Sequence, residues 1–421
     1  MVKRIVLSNG LRLLFFPMKN TKAVTVLYLA QTGSKYETKN QNGISHLLEH
    51  LVFRGTKNWP EPSAIARELD SVGGFYNAFT DKEMLGIWTK VEAKHIPLAL
   101  NIIADMTINP LFPEEEIAKE KKVVIEEINM REDNSQIAVL DLWEESLYGD
   151  QPAGWPVIGT KQTVMAIKQK ELFSHLKDSF AAKKSMLVLA GSFSEKSVKR
   201  IIEKSFFSLS EELGKSGPTA KEEQTSPQIT LRFKETDQTH LCLGVRSFNA
   251  LSEKRYPLAL LATILGGMMS SRLFEEIREK RGLAYYIRAL TEYYTDTGYL
   301  VVHAGLNNNK IPEAIDVICR EYRKLTAEPV GVRELEKAKE HLKGGLFLGL
   351  ETSDDLASFF GLQEISGRKV LSPEQEWQKI AKITPNDILK VAKEVFRSDR
   401  LNLAVIGPHK DREQFSKVLK I

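Results

Sequence analysis

The chain runs through one order of patterns twice, and that repetition limits its fold more than any single motif. In the first half, Arg4–Leu7 and Leu11–Phe16 flank Ser8-Asn9-Gly10, and the Asn-Gly pair suits the positive φ of a hairpin turn. Val24–Ala30 reads as a further strand. A helix opens after Asn42-Gly43 and stops near Gly55, and another opens at Ser63, read as its N-cap, and ends at Gly73-Gly74. Strands over Phe75–Thr80 and Met84–Val91 follow. Then come a helix over Pro97–Thr107, a long charged helix over Glu114–Arg131, and a strand over Met186–Ala190. The second half repeats this order. It has strands at Ile229–Phe233 and His240–Val245, a helix at Tyr256–Leu265, strands near Tyr285–Thr291 and Tyr299–Ala304, and helices at Ile311–Leu325 and from Val332 onward. Ala118-Lys119-Glu120 in the first long helix is echoed by Ala338-Lys339-Glu340 in the second. Between Leu209 and Pro227 the sequence is polar and aperiodic, as a linker is. The pattern predicts two duplicated α+β domains, 1–212 and 228–421, joined by a linker at 213–227.

Composition narrows the function. The net charge of +4 over 421 residues, with no basic tract interleaved with aromatics, gives no reason to expect nucleic-acid binding. Cys242 and Cys319 sit in apolar periodic segments and read as buried thiols rather than a disulfide or metal pair. No stretch reaches the roughly 18 apolar residues of a membrane span, and Met1-Val2-Lys3-Arg4 leads straight into a strand pattern with no apolar signal region. A cytoplasmic, reducing setting without membrane partners is expected.

Only the first half carries metal-type residues. In His46-Leu47-Leu48-Glu49-His50, helical geometry puts the two histidines within about 40° of each other and Glu49 about 60° to the other side. Ile44, Leu47, Leu48, Leu51 and Val52 fill the opposite arc. Two histidines at i, i+4 can chelate one tetrahedral metal, and a nearby carboxylate can take a proton from water that the metal activates. A solvated polar face would carry lysine and arginine here, whereas the flanks are apolar.

A catalytic zinc needs a third protein ligand. In Glu114–Arg131, Glu120 and Glu127 are seven apart, within about 20° on the wheel, on the side of Ile117, Val123, Val124 and Ile128. Glu126 lies with Lys119 and Lys122, as a solvated residue would. Phase selects Glu127 as ligand and Glu120 as a carboxylate that orients a histidine. Phase alone leaves room for a second reading, in which both are rim carboxylates. Counting from the shared Ala-Lys-Glu, Phe347 stands at the position of Glu127, and Ala259–Thr263 near that of His46–His50.

These motifs, together with Phe53-Arg54-Gly55-Thr56, Gly73–Thr80, Glu120–Ile128, Ser270–Phe274 and Arg278–Tyr285, resemble the insulinase-like (pitrilysin-type) zinc metallopeptidases with the inverted His-x-x-Glu-His motif. The nearest likeness is to bacterial relatives of the mitochondrial processing peptidase β subunit. The resemblance covers essentially the whole chain. It implies one zinc per chain and two homologous domains, each a mostly antiparallel sheet with helices packed on one side, forming half of a clamshell. A second copy, in a homodimer, would close it. It implies Glu127 as the metal ligand and Glu120 as the family's distal glutamate. Asn77 and Ala78 would lie on an edge strand that pairs with a peptide substrate, and Arg278 and Tyr285 would reach the scissile carbonyl. The expected activity is zinc-dependent endopeptidase cleavage of peptides or unfolded segments. The alternative is a non-catalytic structural or peptide-binding subunit of a larger complex.

Overall fold

A computed structural model describes residues 2–212, 214 and 217–421. Met1 lies outside the described residues, as do Leu213, Lys215 and Ser216 of the expected linker; 217–227 contains neither helix nor strand. The strands are β1 (Lys3–Val6), β2 (Arg12–Pro17), β3 (Ala23–Ala30), β4 (Phe75–Thr80), β5 (Leu85–Glu92), β6 (Ser185–Gly191), β7 (Gln228–Phe233), β8 (Gln238–Arg246), β9 (Ala284–Tyr293), β10 (Gly298–Asn307) and β11 (Leu401–Gly407). The helices begin with α1 (Ile44–Leu51), α2 (Ala64–Ser71), α3 (Ile96–Ile108), α4 (Glu114–Asp133), α5 (Ser135–Tyr148), α6 (Lys161–Ala166) and α7 (Gln169–Ser179). They continue with α8 (Glu195–Ser205), α9 (Arg255–Ala262), α10 (Ile311–Ala327), α11 (Val332–Leu348), α12 (Ser353–Ile365), α13 (Pro373–Ala381) and α14 (Pro385–Val395).

The chain forms two compact units, and neither is continuous in sequence. The first comprises Met1–Asn129, Trp155–Pro218 and Gly349–Val370. The second comprises Met130–Gly154, Thr219–Leu348 and Leu371–Ile421. The first unit therefore takes α12 from the second half of the sequence, and the second takes α5 from the first half.

In the first unit, six strands run in the order β1-β2-β6-β3-β5-β4. The β1–β2 hairpin turns at Gly10, whose φ of 92° favours glycine, while the Asn9 side chain accepts from Leu11 N (3.1 Å). All seven residues of β6 are buried, as are all but the first of β3, which marks a sheet covered on both faces. Alternation sorts them. Phe15, Val26, Tyr28, Leu187 and Leu189 pack in the main core with α1 and α3. Leu14, Leu27, Leu29, Met186 and Val188 face the other way, onto Leu356, Ala357 and Phe360 of α12. Burying an aromatic side chain such as Phe360, 1% exposed, contributes about 2–3 kcal/mol. A hydrogen bond between Thr25 Oγ1 and Ser353 Oγ (2.8 Å) and an ion pair between Lys90 and Asp354 (2.5 Å) fix the start of α12, which Thr352 caps. Ser63 stands at the N-cap of α2, but its side chain makes no cap bond and instead accepts from the Arg67 guanidinium.

In the second unit, five strands run β7-β11-β8-β10-β9. Leu241, Leu243, Leu300, Val302 and Leu403 pack with α9, α10 and α14 in one core. Cys242, Tyr299, Val301 and Ala404 face Val139, Leu142 and Trp143 of α5 on the other side. Each sheet thus carries one helix on the face opposite its main helical layer. Cys242 and Cys319 are both buried free thiols. Among the described residues no helix is long and apolar enough to cross a membrane.

Candidate metal centre

Helix α1 is short because Gly43 precedes it with a φ of 95° and the chain turns away after Leu51. Ile44, Leu47, Leu48 and Leu51 are at most 1% exposed, and this anchoring leaves His46, Glu49 and His50 on the half-buried arc. Helix α4 begins with Glu114, Glu115 and Glu116 in its first turn, where carboxylates complement the helix dipole. It presents Glu120, 3% exposed, and the half-buried Glu127 on one side, with Val124 and Ile128 buried. Glu126 is exposed, as its phase requires, and accepts from Asn129 Nδ2 (3.3 Å). Val123, expected on the apolar side, is 48% exposed, so the buried stripe of α4 is narrower than the sequence pattern implied.

Donor atoms of His46, His50 and Glu127 all lie within 4.8 Å of one another. Glu127 Oε2 is 3.6 Å from His46 Nε2 and 3.7 Å from His50 Nε2. Tetrahedral zinc with ligand bonds of about 2.0–2.1 Å separates its donor atoms by about 3.3 Å. The three groups therefore fit one such ion with little movement. His50 Nδ1 is 3.1 Å from Glu120 Oε2, which turns Nε2 of the same ring toward Glu127. Glu120 Oε1 is in turn 2.7 Å from Arg54 Nε.

The electrostatics follow from this arrangement. Burial would raise the Glu120 carboxyl, but the His50 hydrogen bond and the Arg54 charge outweigh it and hold the group below the usual range. For His50, burial works against the charge, yet the Glu120 bond and the charges of Glu49, Glu120 and Glu127 raise it. Glu49 is raised, chiefly by burial, with Thr80 and His50 opposing and Glu127 adding to the rise.

Glu49, His50 and Glu120 open onto a cavity of about 350 Å³ that Asn77 and Ala78 of β4 also line. Phe53 and Tyr76 form an aromatic wall there, their rings 5.8 Å apart. Strand β4 is the last of its sheet, with Asn77 exposed and Ala78 buried. The nine residues expected at the site divide between the units: His46, Glu49, His50, Asn77, Ala78, Glu120 and Glu127 belong to the first, Arg278 and Tyr285 to the second. Arg278 is exposed in a π-helical turn, Phe274–Glu279, with its guanidinium 4.9 Å from the Phe274 ring centroid. Tyr285, 75% exposed, is the second residue of the edge strand β9. Arg54 follows His50 by four residues, which would put it on the same side of the helix that the sequence predicts to run to near Gly55; α1 ends at Leu51, and Arg54 reaches Glu120 from the turn beyond it. No sequence pattern marks Glu37, which accepts from the backbone amides of Gly43 and Ser45.

Two histidines and a glutamate from separate helices, backed by a carboxylate on one ring, define the class of catalytic zinc hydrolases. Comparison with known proteins agrees. Residues 16–161 match the model of the insulinase family of peptidases, M16, and residues 166–342 match that family's inactive domain. The uncharacterized zinc protease YmxG of Bacillus subtilis is 34% identical over 408 residues, covering 97% of this chain and 98% of the relative. An uncharacterized zinc protease of Streptomyces coelicolor is 32% identical over 425 residues, covering 98% and 91%. A protease from Helicobacter pylori shares the fold, with a TM-score of 0.90 at 24% identity over 97% of this chain and 99% of that one. The chain belongs to the insulinase family of peptidases, M16. It is a protease of the zinc-dependent kind, and zinc is the cofactor that its donor set fits.

Proposed function

We propose that the chain is an endopeptidase acting on peptides or unfolded segments, with zinc held by His46, His50 and Glu127. The observation that carries this reading is the convergence of those three donor atoms beside a raised, half-buried carboxylate, Glu49. When bound, zinc supplies Lewis acidity that polarises a carbonyl and makes water more acidic. Glu49 takes a proton from the attacking water onto a carboxylate oxygen as the oxygen–carbon bond forms. It then returns that proton to the amine nitrogen as the carbon–nitrogen bond breaks. Glu120, fixed by Arg54, holds His50 in one ring orientation. An extended substrate adds to the open edge of β4 beside Asn77 and Ala78, and strand pairing of this kind admits unfolded segments only. Arg278 and Tyr285 donate to the carbonyl oxygen as it gains charge. Their exposure supports that role, as does the absence of any ion pair to Arg278 among the described residues. In our reading the chain is a homodimer, and this pair serves the site of the partner copy.

Metal analysis beside a quenched-peptide assay tests the reading. About one zinc per chain, cleavage abolished by chelation, and Glu49→Gln that keeps zinc but loses about 10²–10⁴-fold in turnover are expected. Zinc-loaded protein that cleaves no unfolded peptide would favour the non-catalytic subunit instead. Mixing Glu49→Gln with the double variant Arg278→Ala, Tyr285→Phe tests the shared site. Mixed dimers regain one intact site, and no recovery in a sample shown to contain them rules the arrangement out.

A further inference from the structure

The first turn of α1 has no cap of its own. Its N-cap is Gly43, which has no side chain, and His46 follows only three residues later. Yet the turn is buried, and its amide donors need acceptors. They find one in Glu37, a 6% exposed carboxylate outside the helix. Glu37 Oε2 accepts from Gly43 N (2.7 Å) and from Asn42 Nδ2 (2.9 Å), and Oε1 accepts from Ser45 N (2.8 Å). Both oxygens are thus used by the residues immediately before His46. A negative charge at this end also complements the helix dipole.

Three other contacts grip the same turn. Asn42 Nδ2 donates to Pro156 O (2.9 Å), and Ser45 Oγ lies 2.9 Å from His175 Nε2 on α7. A Cβ on Gly43 would fall 2.7 Å from Ile158 O, so the loop before α6 abuts the helix entrance directly. At the other end of α1, the Glu120 and Arg54 contacts orient His50. His46 has its helix turn set by Glu37.

We infer that Glu37 is a positioning residue of the metal centre: by binding the amides of Gly43 and Ser45 it sets the place of His46 relative to His50 and Glu127. The inference rests on the ligand assignment proposed above. Glu37 touches neither substrate nor metal, so it acts through the backbone that carries the ligand. A buried glutamate near any helix could instead serve only to hold the fold, and the two roles separate in metal affinity.

The test is zinc affinity of the full chain, by competition with a chromophoric chelator, at a temperature well below every variant's melting point. Glu37→Gln can accept at one oxygen only and turns an amide donor toward one of the backbone amides. It is expected to weaken zinc binding about 10–100-fold, as other indirect ligand-orienting changes do, and to lower kcat with KM nearly unchanged. Asn42→Ala removes one of the three donors to Glu37 and should weaken zinc several-fold; it carries the test if Glu37→Gln does not fold. The control is Phe360→Ala. It empties a buried site on the face of the first sheet opposite the one that α1 packs on, so its melting point should fall while zinc affinity stays within twofold. Glu37→Gln binding zinc within twofold of the unaltered chain, or the control losing as much as Glu37→Gln, overturns the inference. His46→Gln separates the two readings: if it abolishes binding while Glu37→Gln does not, only the role of Glu37 falls. If it too binds normally, the ligand assignment itself falls.

Discussion

Set β1 aside, and the two sheets have one plan. The order β2-β6-β3-β5-β4 of the first matches β7-β11-β8-β10-β9 of the second. The parallel pair β2/β6 has its counterpart in β7/β11, and the antiparallel neighbours correspond throughout. The helices that follow the matching strands β3 and β8 differ. In α1, apolar residues take one arc and His46, Glu49 and His50 the other. In α9, Leu258, Leu260, Leu261 and Ala262 are all buried, and the chain runs on into a π-helical turn, Thr263–Gly267. The same scaffold therefore supports a metal-type donor set in one unit and plain packing in the other. A few side chains on one helix pair make the difference, not the fold.

Removing the proposed ligands should act on one unit alone, and this is the largest effect expected. Glu127→Gln should lower zinc affinity by more than about 100-fold, and Glu120→Gln about 10–100-fold. Glu126→Gln should change it little, and so should Phe347→Ala in α11, at the position that the count from Ala338 matches to Glu127. Zinc content after dialysis against a weak chelator measures all four. If Glu126→Gln proves the damaging change, the phase assignment on α4 is wrong.

The exchanged helices offer a comparison of stabilities. Phe360→Ala in α12 and Trp143→Ala in α5 each empty a fully buried site, at a cost of about 3–5 kcal/mol. Hydrogen exchange should show the first loosening β3 and β6, and the second β8 and β11. Equal loosening of both sheets by either variant would mean that the units do not respond separately.

Acid should act more weakly, and on the second unit. His303, 4% exposed, donates from Nε2 to Gln136 O (3.1 Å) and lies 2.9 Å from the Tyr286 hydroxyl, which is also 2.9 Å from His240 Nδ1. Burial, aided by the charges of Arg288 and His240 and opposed by the Gln136 bond, pushes His303 down to about 4. Above the unfolded value of about 6.5 both states are neutral and nothing is lost. Below it the unfolded chain binds a proton that the folded chain resists, so stability falls until about pH 4, by at most about 3 kcal/mol. Exchange rates in β8 and β10 should rise across that window, and His303→Gln should flatten the rise. An unchanged profile in that variant would remove His303 from the account.

Much of this was legible because it is local. His46, Glu49 and His50 share an arc by helical geometry, and the spacing of Glu120 and Glu127 puts both on one side of α4. Asn9-Gly10 announces its turn. What sequence periodicity missed is long-range. Neither Val139, Leu142 and Trp143 nor Leu356 and Phe360 was assigned to an element, and a helical pattern alone does not say which sheet an apolar stripe will cover. Glu37 was passed over because its partners are backbone amides, which leave no trace in the identity of the residues that own them. Arg54 was within reach, one turn beyond His50.

The crosswise placement of α5 and α12 bears on how the protein is made. As the chain leaves the ribosome, the last strand of the first sheet ends at Gly191, and the helix that shields its outer face begins only at Ser353, about 160 residues later. Through that interval Leu27, Leu29 and Val188 have no cover of their own. A chain that stops before α12 is therefore expected to leave that apolar face of the first sheet uncovered and prone to aggregate.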